Sequence, residues 1–326
     1  MTTAYAPGKA ILFGEHAVVF GRPAIAVPVT QVRACATVED APRGQGISIR
    51  ATDLDLTHRL GAPVAADHPA FALEATVVNT LQRLGVDKPL DLTLIVSSTV
   101  PMARGLGSGA ALATAIVRAV AKHFGHDLAP QEISDLVYQT EVIHHGTPSG
   151  IDNTVIAYEQ PIYFVRAVPT QLLRVGRPFW LAIGDTGIAS PTRDAVGAVR
   201  RAWTGSPKKY DALFDGIGAV AAAAKDALSS GKFAAIGKLM DENQALLQAL
   251  GVSSRELDRL IAAAREGGAM GAKMCGAGRG GNMIALVSAE RTGEVAVALR
   301  RAGAVGVIVT QVGGPAMKAS LAAVDA

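Results

Sequence analysis

Hydrophobic and polar positions follow two regular patterns along the first half of the chain. Leu92, Leu94 and Val96 occupy alternate positions, and this period of two predicts a strand over 90–96. The apolar run 24–29 predicts another strand. A second stretch has apolar residues at helical spacing and predicts a helix over 131–145: Ile133, Leu136, Val137 and Ile143.

The end of that helix brings two acidic residues close together along the chain. Because a proline disfavours helical geometry in the residue before it, Pro148 predicts that the helix ends at 146–148. Residues 149–153 then read as a tight turn. Glu141 lies on the shoulder of the apolar stripe, and Asp152 lies in the turn. We therefore expect neighbouring parts of the backbone to present the two carboxylates.

The pattern changes near 174–178, where a new buried strand begins at about 179. The second half is predicted to contain helices near 194–202, 210–229, 233–250, 254–267 and 290–302, and strands near 179–185, 269–275, 283–287 and 305–312. Helices with a mixed sheet indicate an α+β fold. We predict two domains, residues 1–176 and 177–326.

Composition indicates a globular protein and argues against a nucleic-acid partner. Of the 326 residues, 49% are hydrophobic, which is enough for a sizeable core. A formal charge of +3 is small for this length. No apolar run approaches the ~18–20 residues that span a bilayer, and the first residues do not resemble a secretory leader. We expect a cytoplasmic protein without membrane association.

Cysteine and histidine usage points away from disulfides and zinc. Cys35 and Cys275 are far apart in sequence and form no disulfide framework, which fits a reducing compartment. His144 and His145 are adjacent, so they point to different helix faces, unlike the pair of a zinc-binding helix.

The glycine-rich run 101–110 is a candidate phosphate-binding loop. It stands between the predicted strand and an alanine-rich helix that begins near Ser108. Glycine allows backbone N–H groups to converge on an anion, and the first helical turn adds unpaired donors and a positive dipole end. Such turns also occur for structural reasons, so the loop alone does not establish nucleotide binding.

Three further segments combine glycine with charged residues in apolar surroundings. They are residues 7–19, 141–153 and 273–282. Each charged residue also has a structural interpretation: Lys9 as a solvated lysine, Glu141 as a helix-surface carboxylate, Asp152 as a turn former and His16 as a core histidine. Their joint occurrence favours a functional site.

Together these segments resemble the three motifs of the GHMP kinase superfamily, in order and over nearly the whole chain. Within it, residues 8–21 and 145–153 are most similar to those of the mevalonate kinases. The resemblance implies an N-terminal domain like domain 2 of ribosomal protein S5 and a ferredoxin-like C-terminal domain. It also implies ATP and Mg²⁺, mevalonate as the acceptor of the γ-phosphate on its 5-hydroxyl, and a homodimer.

The resemblance also assigns roles by position. Asp152 and Lys9 would be catalytic, and Ser108 and Glu141 would hold Mg²⁺. The loop around the ATP phosphates would contain Arg104, Gly105, Leu106, Gly107, Ser108, Gly109 and Ala110. The acceptor would contact Lys9, Glu15, His16, Asp152, Thr192, Gly276 and Ala277.

Departures from the family pattern keep other functions open. Gly109 replaces a usual serine, Cys275 replaces a serine or threonine, and Arg104 and Arg279 add charge to two loops. The alternatives are a GHMP kinase for another acceptor, such as phosphomevalonate or a sugar, and a ligand-binding relative that has lost catalysis. A dinucleotide-binding dehydrogenase fits less well, because the spacing after Gly107 differs from that fingerprint.

Overall fold

The computed structural model describes residues 1–145 and 148–314, without the side chains of residues 144 and 145. The predicted helix end at 146–147 and the side chains of His144 and His145 therefore lie outside the described residues. Within the described ranges, no helix combines the length and apolar character needed to cross a bilayer.

The first half is built on a seven-stranded sheet. Its strands are β1 (Thr2–Phe13), β2 (Ala24–Asp40), β3 (Ile47–Ala51), β4 (Leu56–Arg59), β5 (Leu92–Ser98), β6 (Ile162–Phe164) and β7 (Gln171–Leu172). The strand order is β4-β3-β5-β2-β6-β7, and β1 pairs along the long strand β2. β3 and β5 are parallel, and the other pairs are antiparallel.

Four helices accompany this sheet: α1 (Pro69–Arg83), α2 (Ser108–His123), α3 (Pro130–His145) and α4 (Ile151–Tyr158). Helix α2 packs on β1 and β2, and most of its side chains are buried, as expected for a helix that is apolar on nearly all sides. It is therefore a central element whose N-terminus, at Ser108, opens directly onto the glycine-rich loop.

The second half contains a four-stranded sheet with helices α5 (Thr192–Gly205), α6 (Pro207–Ser229), α7 (Phe233–Ala249), α8 (Arg255–Glu266) and α9 (Thr292–Arg301). Its strands are β8 (Phe179–Asp185), β9 (Gly271–Cys275), β10 (Asn282–Val287) and β11 (Gly306–Val312). In the order β11-β8-β10-β9, every pair is antiparallel. The prediction of a mixed second sheet is wrong, because β9 and β10 form a hairpin and β8 runs opposite to both β10 and β11.

Most sequence-predicted elements are confirmed, and one local prediction is wrong. The helices predicted over 131–145 and from Ser108 correspond to α3 and α2. Residues 151–153, predicted as a turn, lie in α4, because Gly150 takes a left-handed conformation and the helix begins directly after it. Asp152 thus sits in the first turn of a helix.

We propose that the domain boundary lies at 176/177. In support, β7 is the last strand of the first sheet, and β8 is the first strand of the second. The two halves nevertheless share a hydrophobic cluster that includes Leu94 of β5 and Leu181 of β8. They are therefore packed together rather than joined by a flexible linker.

Candidate active site

A cavity of about 440 Å³ lies where loops of the two halves meet. Among the sequence-predicted site residues, those on its wall are Lys9, His16, Gly105, Gly107, Ser108, Gly109, Ala110, Glu141, Asp152, Thr192, Gly276 and Ala277. Three others do not line it: Arg104, Leu106 and Glu15. The fold therefore brings residues from distant parts of the sequence to one concave surface.

The glycine-rich loop is held in shape by its own backbone and by an apolar anchor. Gly105 and Gly107 have φ values of 83° and 75°, which favour glycine. Leu106 is fully buried, and its carbonyl accepts a hydrogen bond of 3.0 Å from the backbone N–H of Lys9. Leu106 thus fixes the loop to β1. Ser108 begins α2, and the first turn of this helix, which carries unpaired N–H groups, lines the cavity.

Lys9 and Asp152 form an ion pair on the cavity wall. The distance between Lys9 Nζ and Asp152 Oδ1 is 2.8 Å, and the side chains are 3% and 29% exposed. Burial by itself lowers the pKa of Lys9, but attraction to Asp152 and further negative groups outweighs it, and the net effect is a raised pKa. Lys9 therefore keeps its positive charge, and Asp152 keeps an accessible carboxylate.

Glu141 is the buried carboxyl group of this wall. Burial, and secondarily the charge of Asp152, raises its pKa to about 8, while Lys9 acts in the opposite direction. It lies beside the first turn of α2, because a Cβ built on Gly109 would be 3.4 Å from Glu141 Oε1. Carboxylate and hydroxyl oxygens are ligands that Mg²⁺ prefers, so Glu141 and Ser108 fit the assigned cation.

A protein-only metal cage is absent from the described part of the chain, where no group of three His, Cys, Asp or Glu residues is arranged around a common point.

His16 lines the cavity as a neutral imidazole. Its Nε2–H donates to the Ala277 carbonyl oxygen at 2.9 Å, which links the first half to the connection between β9 and β10. Burial, opposed by that hydrogen bond and reinforced by Arg279, lowers the pKa of His16 to about 4. At neutral pH it therefore adds polarity to the cavity without adding charge.

Glu15 lies behind this wall. It is fully buried and forms an ion pair with Lys273 of β9, which is also fully buried. Asn243 Nδ2 of α7 donates to Glu15 Oε2 at 3.2 Å. Glu15 therefore stabilises the segment that carries His16. It does not line the cavity, so in this structure it does not face the space where an acceptor would bind. Sequence reasoning missed Lys273 as the partner of Glu15, because the two residues are 258 positions apart in the chain.

The second half supplies a polar rim to the cavity, and both halves contribute apolar surface. Thr192 begins α5, and Arg193 beside it also lines the cavity. Ile11, Val18 and Val196 contribute apolar surface. These apolar residues have no polar signature in the sequence, and only the assembled fold shows that they face the cavity.

Cys275 is next to the site but is unsuited to nucleophilic chemistry. It is buried, and burial, with a smaller contribution from Glu15, raises the pKa of its thiol to about 11. Its Sγ lies 3.5 Å from the Ile11 carbonyl oxygen, so it joins β9 to β1.

Two family models match the chain. The one for the GHMP kinases N terminal domain covers residues 71–160, and the one for the GHMP kinases C terminal covers residues 224–305. The chain belongs to the GHMP kinase family. Its members are ATP-dependent small-molecule kinases, so the glycine-rich loop belongs to an enzyme of that class.

Among members of the family, the chain is similar to mevalonate kinases. That of Thermococcus sibiricus is 35% identical over 320 residues, covering 94% of each chain, and that of Pyrococcus furiosus is 36% identical over 315 residues, covering 92% and 93%. The crystal structure of L. major mevalonate kinase in complex with R-mevalonate is 27% identical, with a TM-score of 0.81 and 96% of each chain covered.

Proposed function

We propose that this enzyme transfers the γ-phosphate of ATP to the 5-hydroxyl of mevalonate, with Mg²⁺ bound to the nucleotide. The observation that carries the proposal is the Lys9–Asp152 ion pair, 2.8 Å long, which shares one cavity with the glycine-rich loop. Support also comes from mevalonate kinases that are 34–37% identical over most of the chain.

The nucleotide phosphates would lie against residues 105–110. Backbone N–H groups of this loop and the N-terminus of α2 supply partial positive charge there. When bound, Mg²⁺ would neutralise charge on the phosphates, held by Ser108 and Glu141. Because Glu141 has a raised pKa, a nearby cation would favour its ionised form.

Asp152 and Lys9 would act on the attacking hydroxyl and the transferring group. Asp152 is exposed enough to accept a hydrogen bond from a hydroxyl, and Lys9 places a fixed positive charge beside it. Phosphoryl transfer depends mainly on positioning and charge stabilisation. The pair can therefore orient the hydroxyl, take its proton and stabilise developing negative charge.

The cavity favours a singly charged acceptor over a phosphorylated one. Arg193 lines it, but Arg104 pairs with Asp185 away from it, and Arg279 is exposed and does not line it. Neutral His16 adds no charge. One arginine with Thr192 suits a carboxylate and a hydroxyl, while the apolar patch of Ile11, Val18 and Val196 suits methyl and methylene groups.

A homodimer in the cytoplasm completes the proposal, on the basis of the family resemblance. Light scattering at micromolar concentration tests the dimer. A monomer mass would exclude it under those conditions.

The activity is tested by measuring ADP release with MgATP and, separately, mevalonate, phosphomevalonate, homoserine and galactose, with mass detection of the product. We expect turnover with mevalonate and its loss when EDTA removes Mg²⁺. Turnover with a different acceptor alone would overturn the acceptor assignment. Binding of MgATP without turnover on any acceptor would favour a ligand-binding protein.

A further inference from the structure

The glycine-rich loop of the first half is held by the second half at its backbone. The Ser190 N–H donates to the Ala103 carbonyl oxygen at 2.9 Å, and Asn282 Nδ2 donates to the Arg104 carbonyl oxygen at 2.7 Å. Gly281 approaches so closely that a Cβ there would be 2.9 Å from the same Arg104 oxygen. These contacts determine where the start of the loop lies.

The side chain of Arg104 also contacts the second half, through an ion pair. Its Nε lies 3.6 Å from Asp185 Oδ2 at the end of β8, and the two side chains are only 21% and 15% exposed. Arg104 Nη1 is buried and makes no hydrogen bond within the described residues, and the Asp185 carboxylate lies against the same guanidinium group. Asp185 is itself fixed, because its Oδ1 accepts from the Gly187 N–H at 2.8 Å.

Strand register explains why these partners act together. Asp185 of β8 and Asn282 of β10 are directly paired across the sheet. One end of the second sheet therefore contacts Arg104 at two points. Asp185 pairs with its guanidinium group, and Asn282 donates a hydrogen bond to its carbonyl oxygen.

The loop requires such external support. Ala103 has a φ of 53°, a left-handed conformation that costs a residue with a Cβ roughly 1–2 kcal/mol. A strained residue persists only where surrounding contacts over-determine its conformation. Here the Ser190 hydrogen bond to the Ala103 carbonyl oxygen and the contacts of Arg104 both hold the backbone directly after the strained Ala103 φ.

We propose that Arg104 is a positioning residue: its ion pair with Asp185 fixes the glycine-rich loop in the conformation that receives the ATP phosphates. This inference rests on the proposed function, because it assumes that the loop binds ATP. It gives Arg104 a supporting role in the loop that the resemblance places around the ATP phosphates, in place of a direct contact with phosphate. Arg104 does not line the cavity, and neither does Asp185, with which it pairs.

A positioning role and a direct phosphate-binding role of Arg104 predict opposite effects on ATP binding when Asp185 is removed. If the pair positions the loop, loss of either partner weakens ATP binding, and the second loss adds little. If Arg104 binds phosphate directly, removing Asp185 frees its charge and leaves ATP binding unchanged or tighter.

The test is a double-mutant cycle of Arg104→Ala, Asp185→Asn and the double variant, with the Kd of MgATP measured by calorimetry and the KM of mevalonate by ADP release. We expect each single variant and the double variant to raise the Kd of MgATP by roughly tenfold, the order for one coupled polar contact. The KM of mevalonate should stay within about twofold. Arg50→Ala, which removes an exposed arginine on β3 outside the cavity wall, serves as the charge-matched control.

Rescue and folding controls keep the outcome decisive. Arg104→Lys retains the charge and should recover part of the affinity, and it replaces Arg104→Ala in the cycle if the alanine variant does not fold. Weaker MgATP binding in Arg104→Ala with unchanged or tighter binding in Asp185→Asn would overturn the positioning role, as would unchanged binding in both. Failure of the unmodified enzyme to bind MgATP would instead overturn the proposed function, and the inference with it.

Discussion

The buried ion pair between Glu15 and Lys273 makes a strong prediction about stability. Both side chains are fully buried, and they join the β1–β2 connection to β9. Glu15→Gln removes the negative charge but keeps the shape, and the Gln carbonyl can still accept from Asn243 Nδ2. The substitution creates no cavity, so its main effect is to leave the ammonium of Lys273 buried without its counter-charge.

The expected cost follows from the desolvation of that charge. Breaking a buried pair by removing one partner typically costs about 3–5 kcal/mol. At about 2–4 °C per kcal/mol, Tm should fall by roughly 6–20 °C in differential scanning calorimetry. Lys273→Met alone should be similarly destabilising, because it leaves Glu15 buried and charged.

Two further variants separate the effect of a buried unpaired charge on stability from the other effects of the substitutions. The Glu15→Gln, Lys273→Met double variant removes both charges and should be more stable than either single variant. Glu294→Gln breaks the exposed ion pair with Arg291, whose side chains are 61% and 55% exposed, and should cost less than about 1 kcal/mol. If Glu15→Gln lowers Tm no more than Glu294→Gln, the reasoning about the buried pair is wrong.

Three further predictions concern the cavity. Asp152→Asn should lower kcat by about 10²-fold or more and leave the MgATP affinity nearly unchanged, because the carboxylate is assigned to the acceptor. A large loss of MgATP binding in calorimetry would contradict that assignment. His16 has a pKa of about 4 in the fold against an ordinary 6.5, so the unfolded chain takes up its proton first as pH falls. His16 by itself should then contribute a loss of about 3 kcal/mol between pH 6.5 and 4, so thermal unfolding should show the stability of the unmodified protein falling relative to that of His16→Gln over this range. Gly107→Ala places a Cβ 2.9 Å from Lys9 Cγ at a φ of 75°, and we expect it to lower kcat/KM at least about tenfold. The control Gly125→Ala has a similar φ of 77° but open space around the new Cβ, so it should lower stability without lowering activity. Equal activity in the two glycine variants would argue against the Lys9 contact.

Local pattern was sufficient for most of the fold. The helices α2 and α3 follow from apolar spacing, and the loop before Ser108 follows from its glycines. The start of α4 was missed because the nearby proline and Asn153 suggested a turn, although Ile151 and Val155 have helical spacing.

Long-range contacts were beyond the reach of the sequence pattern. The approach of Lys9 to Asp152 was expected only through family resemblance, because 143 residues separate them. The pairing of Glu15 with Lys273, and of Arg104 with Asp185, depends on how two sheets face each other. Without the fold, Glu15 and Arg104 could be placed only as ligand contacts. With it, their charges are seen to be engaged by other residues.

The two halves contribute differently to the candidate site. The residues proposed to hold Mg²⁺ and to act on the hydroxyl all come from the first half. The second half presents a cross-strand row at one end of its sheet: Cys275, Asn282 and Asp185. Each member of the row contacts the first half, Cys275 at the Ile11 carbonyl and the other two at Arg104. Because the row meets both β1 and the glycine-rich loop, it sets the distance between the strand that carries Lys9 and the loop proposed to hold the phosphates.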